Sequence, residues 1–269
     1  MFPRLIQFGS YSLPTYGVLV ALAFLTALWM ASKFAKQRGI ESEKVVNLGV
    51  YCALVGMLGA KVMMIALDPD MRAHPAEIFS LATLQSAGIF YGGFILALVF
   101  AFVYMRAQHL PALATSDIFA PGLAIGHGIG RLGCFAAGCC WGKPTHLPWA
   151  VTFTNTNATT GVPLGIPLHP TQLYEAFAEG IICLILVARL RRPHSDGQII
   201  GLYGLLYGLV RFGVEFLRDH DALNPFGGPF TLEQWISLIV AAIGAWLVVR
   251  HELTNRLPHG RGSATHQTY

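Results

Sequence analysis

Two arginines and a run of cysteines are the residues here whose types and spacing could do chemistry. Residues 130–142 read GRLGCFAAGCCWG and put Arg131, Cys134, Cys139 and Cys140 at the end of a long apolar stretch. Charge in such a place is costly and usually persists because something uses it. A second apolar stretch carries Tyr203, Tyr207, Arg211, Glu215 and Arg218 at intervals of four, four, four and three residues. At about 100° per residue these share one narrow helical face. Arg211 and Glu215, at i and i+4, could pair with each other. One carboxylate, however, cannot occupy all five guanidinium N–H donors. Two arginines at similar depth would repel unless an anion or flanking acids lay between them, and guanidinium forks match phosphate oxygens in bidentate geometry. The chemistry expected is the holding of a phosphate, that of a lipid head group.

Further polar residues lie along the chain. After His169 and Pro170, residues Gln172, Glu175 and Glu179 fall on one helical face with Tyr174 at its edge. His169 stands at the mouth of that helix. Lys61 follows GMLGA, where a lysine could serve a site or snorkel outward. Tyr91, in GIFYGGF, and Tyr16, in LPTYG, sit at stretch ends, where aromatics also serve as interface anchors.

The elements that must position these groups follow from composition. The chain has 269 residues, 54% hydrophobic and 12% charged, about half the charge of a soluble domain. Seven segments are long and apolar enough to span a bilayer: 13–32, 45–66, 89–105, 113–134, 171–190, 198–217 and 232–250. The expected fold is all-α, a polytopic integral membrane protein of about seven transmembrane helices. The run after Leu13 lacks a small-residue cleavage site and reads as a retained first helix. Lys33, Lys36, Arg38, Lys44, Arg106, Arg189, Arg191, Arg192, Arg250, Arg256 and Arg261 fall at one set of segment ends, against Arg4, Arg72, Lys143 and Arg218 at the other. By the positive-inside rule the N-terminus faces out and the C-terminus lies in the cytoplasm. Residues 1–250 then form one transmembrane domain with an outer loop at about 141–170, and residues 251–269 a cytoplasmic tail expected to be disordered. Residues 78–84 are expected in the interface. Gly122, Gly126 and Gly130, and again Gly204 and Gly208, have the spacing of close helix packing. An odd cysteine count with two adjacent members does not read as a disulfide framework.

These motifs together resemble the prolipoprotein diacylglyceryl transferase family. GRLGCFAAGCCWG resembles its signature; HPTQLYE and YGLVRFGVEFLR resemble two further motifs in the expected order, and LPTYG, GMLGAK and YGG also fit, from about residue 10 to about residue 218. The resemblance implies transfer of the diacylglyceryl group of phosphatidylglycerol to the lipobox cysteine of a prolipoprotein signal peptide, as a thioether. It places the protein in the bacterial inner membrane among membrane lipids, with the site towards the periplasm. No nucleic-acid partner, cofactor or metal is expected. It implies essential arginines at Arg131 and Arg211, with Tyr16, Tyr207, Glu215 and Gly142 also at matching positions. The better-known members carry an asparagine and a glutamate where this chain has Cys134 and Cys139, and a histidine where it has Tyr91.

Arg131, Arg211, Tyr91, Tyr207 and His169 are accordingly expected to be catalytic: the arginines stabilise the leaving phosphate, the tyrosines position, and His169 accepts a proton. Arg131, Arg211, Tyr16, Lys61, Cys134, Gly142, Gln172, Glu175 and Glu215 are expected to bind substrate. Two other classes stay open on the residues alone. One is a membrane thiol-redox or metal-binding protein using Cys134, Cys139 and Cys140, with His127 or His146 as a further candidate ligand for the metal. The other is a small-anion transporter.

Overall fold

The computed structural model describes residues 2–8, 11–69, 71, 88–155, 160–219, 224 and 227–256. Among them it is predominantly helical, with α1 (Thr15–Gln37), α2 (Ser42–Leu67), α3 (Phe90–Ala107), α4 (Ala112–Ala137), α5 (Thr171–Leu190), α6 (Gln198–Glu215) and α7 (Leu232–Arg256). Each expected segment is a helix, with ends shifted by up to about six residues. Four helices, α1, α2, α3 and residues 232–250 of α7, are long and apolar enough to cross a membrane. Their exposed side chains, among them Leu25, Trp29, Leu54, Met57, Phe102 and Trp246, suit lipid rather than water. The other three helices carry the polar stripes that lower their hydropathy. Residues 78–84 and 257–269 lie outside the described residues.

Strands were not expected. β1 (Arg4–Phe8) pairs antiparallel with β2 (Tyr11–Pro14), and β3 (Val151–Thr152) with β4 (Pro167–Leu168). The second pair lies in the loop between α4 and α5. That loop buries Phe153, Val162 and Leu168, with Phe135, Trp141 and Val151 packed against them.

The chain divides into two compact units, residues 27–119 and residues 1–26 with 120–269. In the first, α2 and α3 pack at a glycine seam: a Cβ on Gly59 would come within 2.6 Å of the Gly92 carbonyl oxygen. In the second, α6 and α7 do the same. A Cβ on Gly208 would meet the Ser237 carbonyl at 2.6 Å, so the Gly204–Gly208 spacing is a packing device. Gly130 has open space on its Cβ side and does not share that role.

Helix α5 shows how sequence periodicity becomes a site wall. Its buried face comprises Thr171, Gln172, Glu175, Glu179, Ile182, Cys183, Leu186 and Leu190, so the polar residues lie in the first half and the apolar ones continue the stripe. Helix α4 ends in a Schellman turn. Gly138, at φ 76°, donates to the carbonyls of Cys134 (3.0 Å) and Phe135 (3.2 Å), and Cys139 N–H donates to Cys134 (3.0 Å). The turn folds Cys139 back over the last helical turn.

Candidate active site

The C-terminal end of α4, the N-terminal half of α5 and the C-terminal end of α6 are tied together by one extended strip of backbone. Gly142 N–H donates to the His169 carbonyl (2.9 Å), His169 N–H to Lys143 (3.0 Å) and Lys143 N–H to Leu217 (2.8 Å). Gly142 also bridges Arg218. The strip therefore runs between the start of α5 and the end of α6 and fixes the helices bearing the charged residues. Only glycine fits at its centre. A Cβ on Gly142 would come 2.6 Å from His169 Cβ, 2.6 Å from the Leu217 carbonyl oxygen and 2.8 Å from Thr171 Cγ2. Two of these neighbours are fixed by the hydrogen bonds just named. Gly142→Ala should thus cost about 1–3 kcal/mol, read as a lower Tm of the detergent-solubilised protein; an unchanged Tm would contradict this packing.

The charges sit below that strip. Arg131 Nε donates to Glu175 Oε2 at 2.5 Å, and the other oxygen of the same carboxylate, Oε1, lies 3.9 Å from Arg211 Nη1. Arg211 Nη1 in turn donates to Glu215 Oε2 at 2.5 Å, and Arg218 Nη1 approaches that oxygen at 3.8 Å. The side chain of Glu175 is 3% exposed and that of Glu215 1%, whereas the arginines keep 13% (Arg131) and 11% (Arg211). The acids form the floor and the guanidiniums are the more accessible groups. The i, i+4 pairing of Arg211 with Glu215 expected from spacing is made, and Glu215 also serves Arg218. The pairing does not isolate Arg211, because Glu175 links it to Arg131.

His127, one helical turn before Arg131 on α4, completes the cluster. Its Nδ1 lies 2.9 Å from Glu179 Oε1, its Nε2 3.9 Å from Glu175 Oε2, and its ring meets the Tyr207 ring edge-on at 5.4 Å. Tyr207 lies beside Tyr203, with ring centroids 5.8 Å apart. His127 is not among the residues expected to be catalytic or to bind substrate. The i, i+4 relation to Arg131 was the available signal.

The remaining expected residues take other positions. Tyr16 lies over the signature helix, where a Cβ on Gly133 would be 3.1 Å from its Cδ2. Gln172 Nε2 donates to the Cys139 carbonyl (2.6 Å) and Thr171 Oγ1 to that of Cys140 (2.8 Å), so both buttress the cysteine turn. His169 Nδ1 is hydrogen-bonded to Tyr174 Oη at 3.2 Å, and that oxygen also accepts from Trp149 Nε1 at 2.8 Å. Lys61 on α2 and Tyr91 on α3 belong to the other unit. The Sγ atoms of Cys134, Cys139 and Cys140 lie within 4.8 Å of one another, and all three residues are thiols. Beyond the helix end, the Cys140 pKa is lowered by hydrogen bonds from the Cys134 and Cys139 thiols and by the charges of Arg131 and Arg218. That of Cys139 is raised by its hydrogen bonds to the other two thiols and by burial.

This arrangement can bind a phosphate between two guanidiniums and stabilise charge developing on its oxygens. The profile of the family described as prolipoprotein diacylglyceryl transferase matches residues 3–250. A protein of Clostridium tetani (strain Massachusetts / E88) named phosphatidylglycerol--prolipoprotein diacylglyceryl transferase is 33% identical over 247 residues, covering 92% of this chain and 96% of its own length. Proteins of the same name from Finegoldia magna and Geobacter sulfurreducens are 30% and 33% identical, over 88% and 92% of this chain and 90% and 94% of their own. With the match running through every helix that carries the arginine cluster, the chain belongs to the prolipoprotein diacylglyceryl transferase family.

Proposed function

We propose that this membrane protein is a phosphatidylglycerol--prolipoprotein diacylglyceryl transferase, acting in lipoprotein maturation. It transfers the diacylglyceryl group of phosphatidylglycerol to a cysteine thiol of the prolipoprotein. The observation that carries this reading is the single carboxylate, Glu175, contacting both Arg131 and Arg211. One small anionic group reaches both guanidiniums, so the phosphodiester of a lipid head group can do the same.

The acceptor thiolate attacks the glycerol carbon; the carbon–oxygen bond breaks and glycerol phosphate leaves with the electron pair. Arg131 and Arg211 stabilise the charge that grows on the departing oxygen, the largest catalytic contribution in such a transfer. Glu175 and Glu215 hold the two forks in place. The thiol must lose a proton, and guanidiniums nearby favour its thiolate. His127, oriented by Glu179, accepts that proton; it replaces His169 in this role because it stands among the charges, whereas His169 is engaged with Tyr174. Tyr207 positions the lipid, and Tyr16, Cys134, Gly142 and Gln172 line or shape its site.

Residues 1–250 are read as one transferase domain of seven spans in the inner membrane. The N-terminus and the loop at about 141–170 face the periplasm, where the site opens, and the C-terminus lies in the cytoplasm. A lipobox cysteine on a signal peptide is the acceptor. Complementation checks the activity: a strain depleted of its own transferase should regain growth and diacylglyceryl-modified lipoproteins when it expresses this chain. Accumulation of unmodified prolipoprotein despite membrane insertion would overturn the reading.

A further inference from the structure

Cys139 and Cys140 have no part in the chemistry described above and Cys134 only lines the site, yet the fold gathers all three. The Schellman turn at Gly138 folds Cys139 back so that its Sγ meets the Cys134 carbonyl at 3.7 Å. Cys140, which is not a glycine, takes a left-handed conformation at φ 62°. Such a conformation costs about 1 kcal/mol or more and persists only where the surroundings impose it. Here the Thr171 and Gln172 side chains hold the Cys140 and Cys139 carbonyls. The result is three thiols with their sulfurs within 4.8 Å of one another, each partly accessible and none in a disulfide.

Three thiolates at this separation form a ligand set for a soft or borderline cation. Zinc binds sulfur at about 2.3 Å, so the sulfurs would draw together by up to about 1 Å, within reach of side-chain rotation. Three thiolates around a divalent cation leave one negative charge, and Arg131 and Arg218 act electrostatically on Cys140 from nearby. Catalytic zinc sites use three protein ligands and keep the fourth position open. The substrate of the proposed reaction is itself a thiol.

We propose that Cys134, Cys139 and Cys140 form a trithiolate zinc site whose open fourth position binds the acceptor cysteine of the prolipoprotein. This rests on the transferase reading. On binding, the acceptor thiol displaces a zinc-bound water and gives its proton to His127. The zinc-held thiolate then forms the sulfur–carbon bond as glycerol phosphate departs, and the thioether product, a weaker ligand, yields its place to water. No oxidation takes place, which suits a redox-inert ion.

Cobalt(II) substituted into the purified full-length protein in detergent provides the test. Expected is one equivalent bound per chain, with a sulfur-to-cobalt charge-transfer band in the near ultraviolet. Ser replacement of Cys134, Cys139 or Cys140 should weaken binding at least tenfold, while Cys52→Ser and Cys183→Ser leave it unchanged. Adding a lipobox peptide should raise the band by about one third, as three thiolates become four, and a peptide with serine in place of its cysteine should not. Absence of the band overturns the proposal, as does binding that ignores the peptide thiol, the outcome expected of a closed copper(I) or purely structural site. Full transfer by metal-free wild-type protein overturns the zinc site and leaves the transferase reading intact. Loss of transfer in Arg211→Ala with cobalt still bound bears only on the phosphate clamp.

Discussion

Arg211→Ala and Arg131→Ala should each lower diacylglyceryl transfer by at least a hundredfold while the protein still inserts into the membrane. Removing one preorganised donor from developing oxygen charge costs about 10²–10³ in rate in other enzymes, and an arginine supplies more than one such donor. The two arginines are also the more exposed members of their ion pairs, with 13% (Arg131) and 11% (Arg211) of the side chain accessible against 3% for Glu175. Each substitution also leaves Glu175 or Glu215 with one cation fewer, so membrane insertion and Tm are measured beside the rate. Arg→Lys at either position should fail nearly as completely, because a lysine keeps the charge and loses the planar fork. Lipid labelling of a lipobox peptide by purified variants gives the rates. Transfer by the lysine variants within tenfold of wild type would mean that charge alone suffices.

Glu175→Gln has the second largest expected effect, and it falls on stability. Its carboxylate oxygens lie 2.5 Å from Arg131 and 3.9 Å from Arg211, so its neutralisation leaves two buried cations facing each other with less compensation. Breaking a buried pair by removing one partner costs about 3–5 kcal/mol, which corresponds to a Tm lower by on the order of 10 °C. A phosphate between the same guanidiniums should restore the missing charge. Added phosphatidylglycerol should then raise the Tm of Glu175→Gln in neutral detergent more than that of wild type. Equal shifts in the two proteins would show that the lipid phosphate and the carboxylate do not share a place.

The helices were legible in the sequence because apolar length is a local property. Segment 171–190 matches α5 residue for residue, since Pro170 opens it and basic residues follow it. The stripe from Tyr203 to Arg218 was legible for the same reason, being a periodicity within one helix. Contacts between helices were not. Nothing in HPTQLYE says that Glu175 rather than Glu179 will reach Arg131, because that choice depends on how α4 and α5 pack, with Gly128 letting α5 approach to 3.2 Å of a Cβ position there. His127 was legible only as a neighbour of Arg131 at i, i+4; its pairing with Glu179 depends on how α4 and α5 pack. The strip at Gly142 was equally hidden. Its glycine stood out in the signature, but the crowding by His169, Leu217 and Thr171 joins three stretches far apart in the chain. The four helices apolar enough to cross a membrane are those without a share in the charged cluster, and α4, α5 and α6 carry that cluster at the expense of their hydropathy.

Transfer through a shared phosphate clamp requires Arg131 and Arg211 to serve one anion. A double-mutant cycle on phosphatidylglycerol binding to protein in neutral detergent measures this directly, using wild type, Arg131→Ala, Arg211→Ala and the double variant. If both guanidiniums grip the same phosphate, the effects will be strongly non-additive, with a coupling of about 1 kcal/mol or more, as expected of residues sharing a partner. Losses that add to within about 0.5 kcal/mol, as for independent sites, would contradict it.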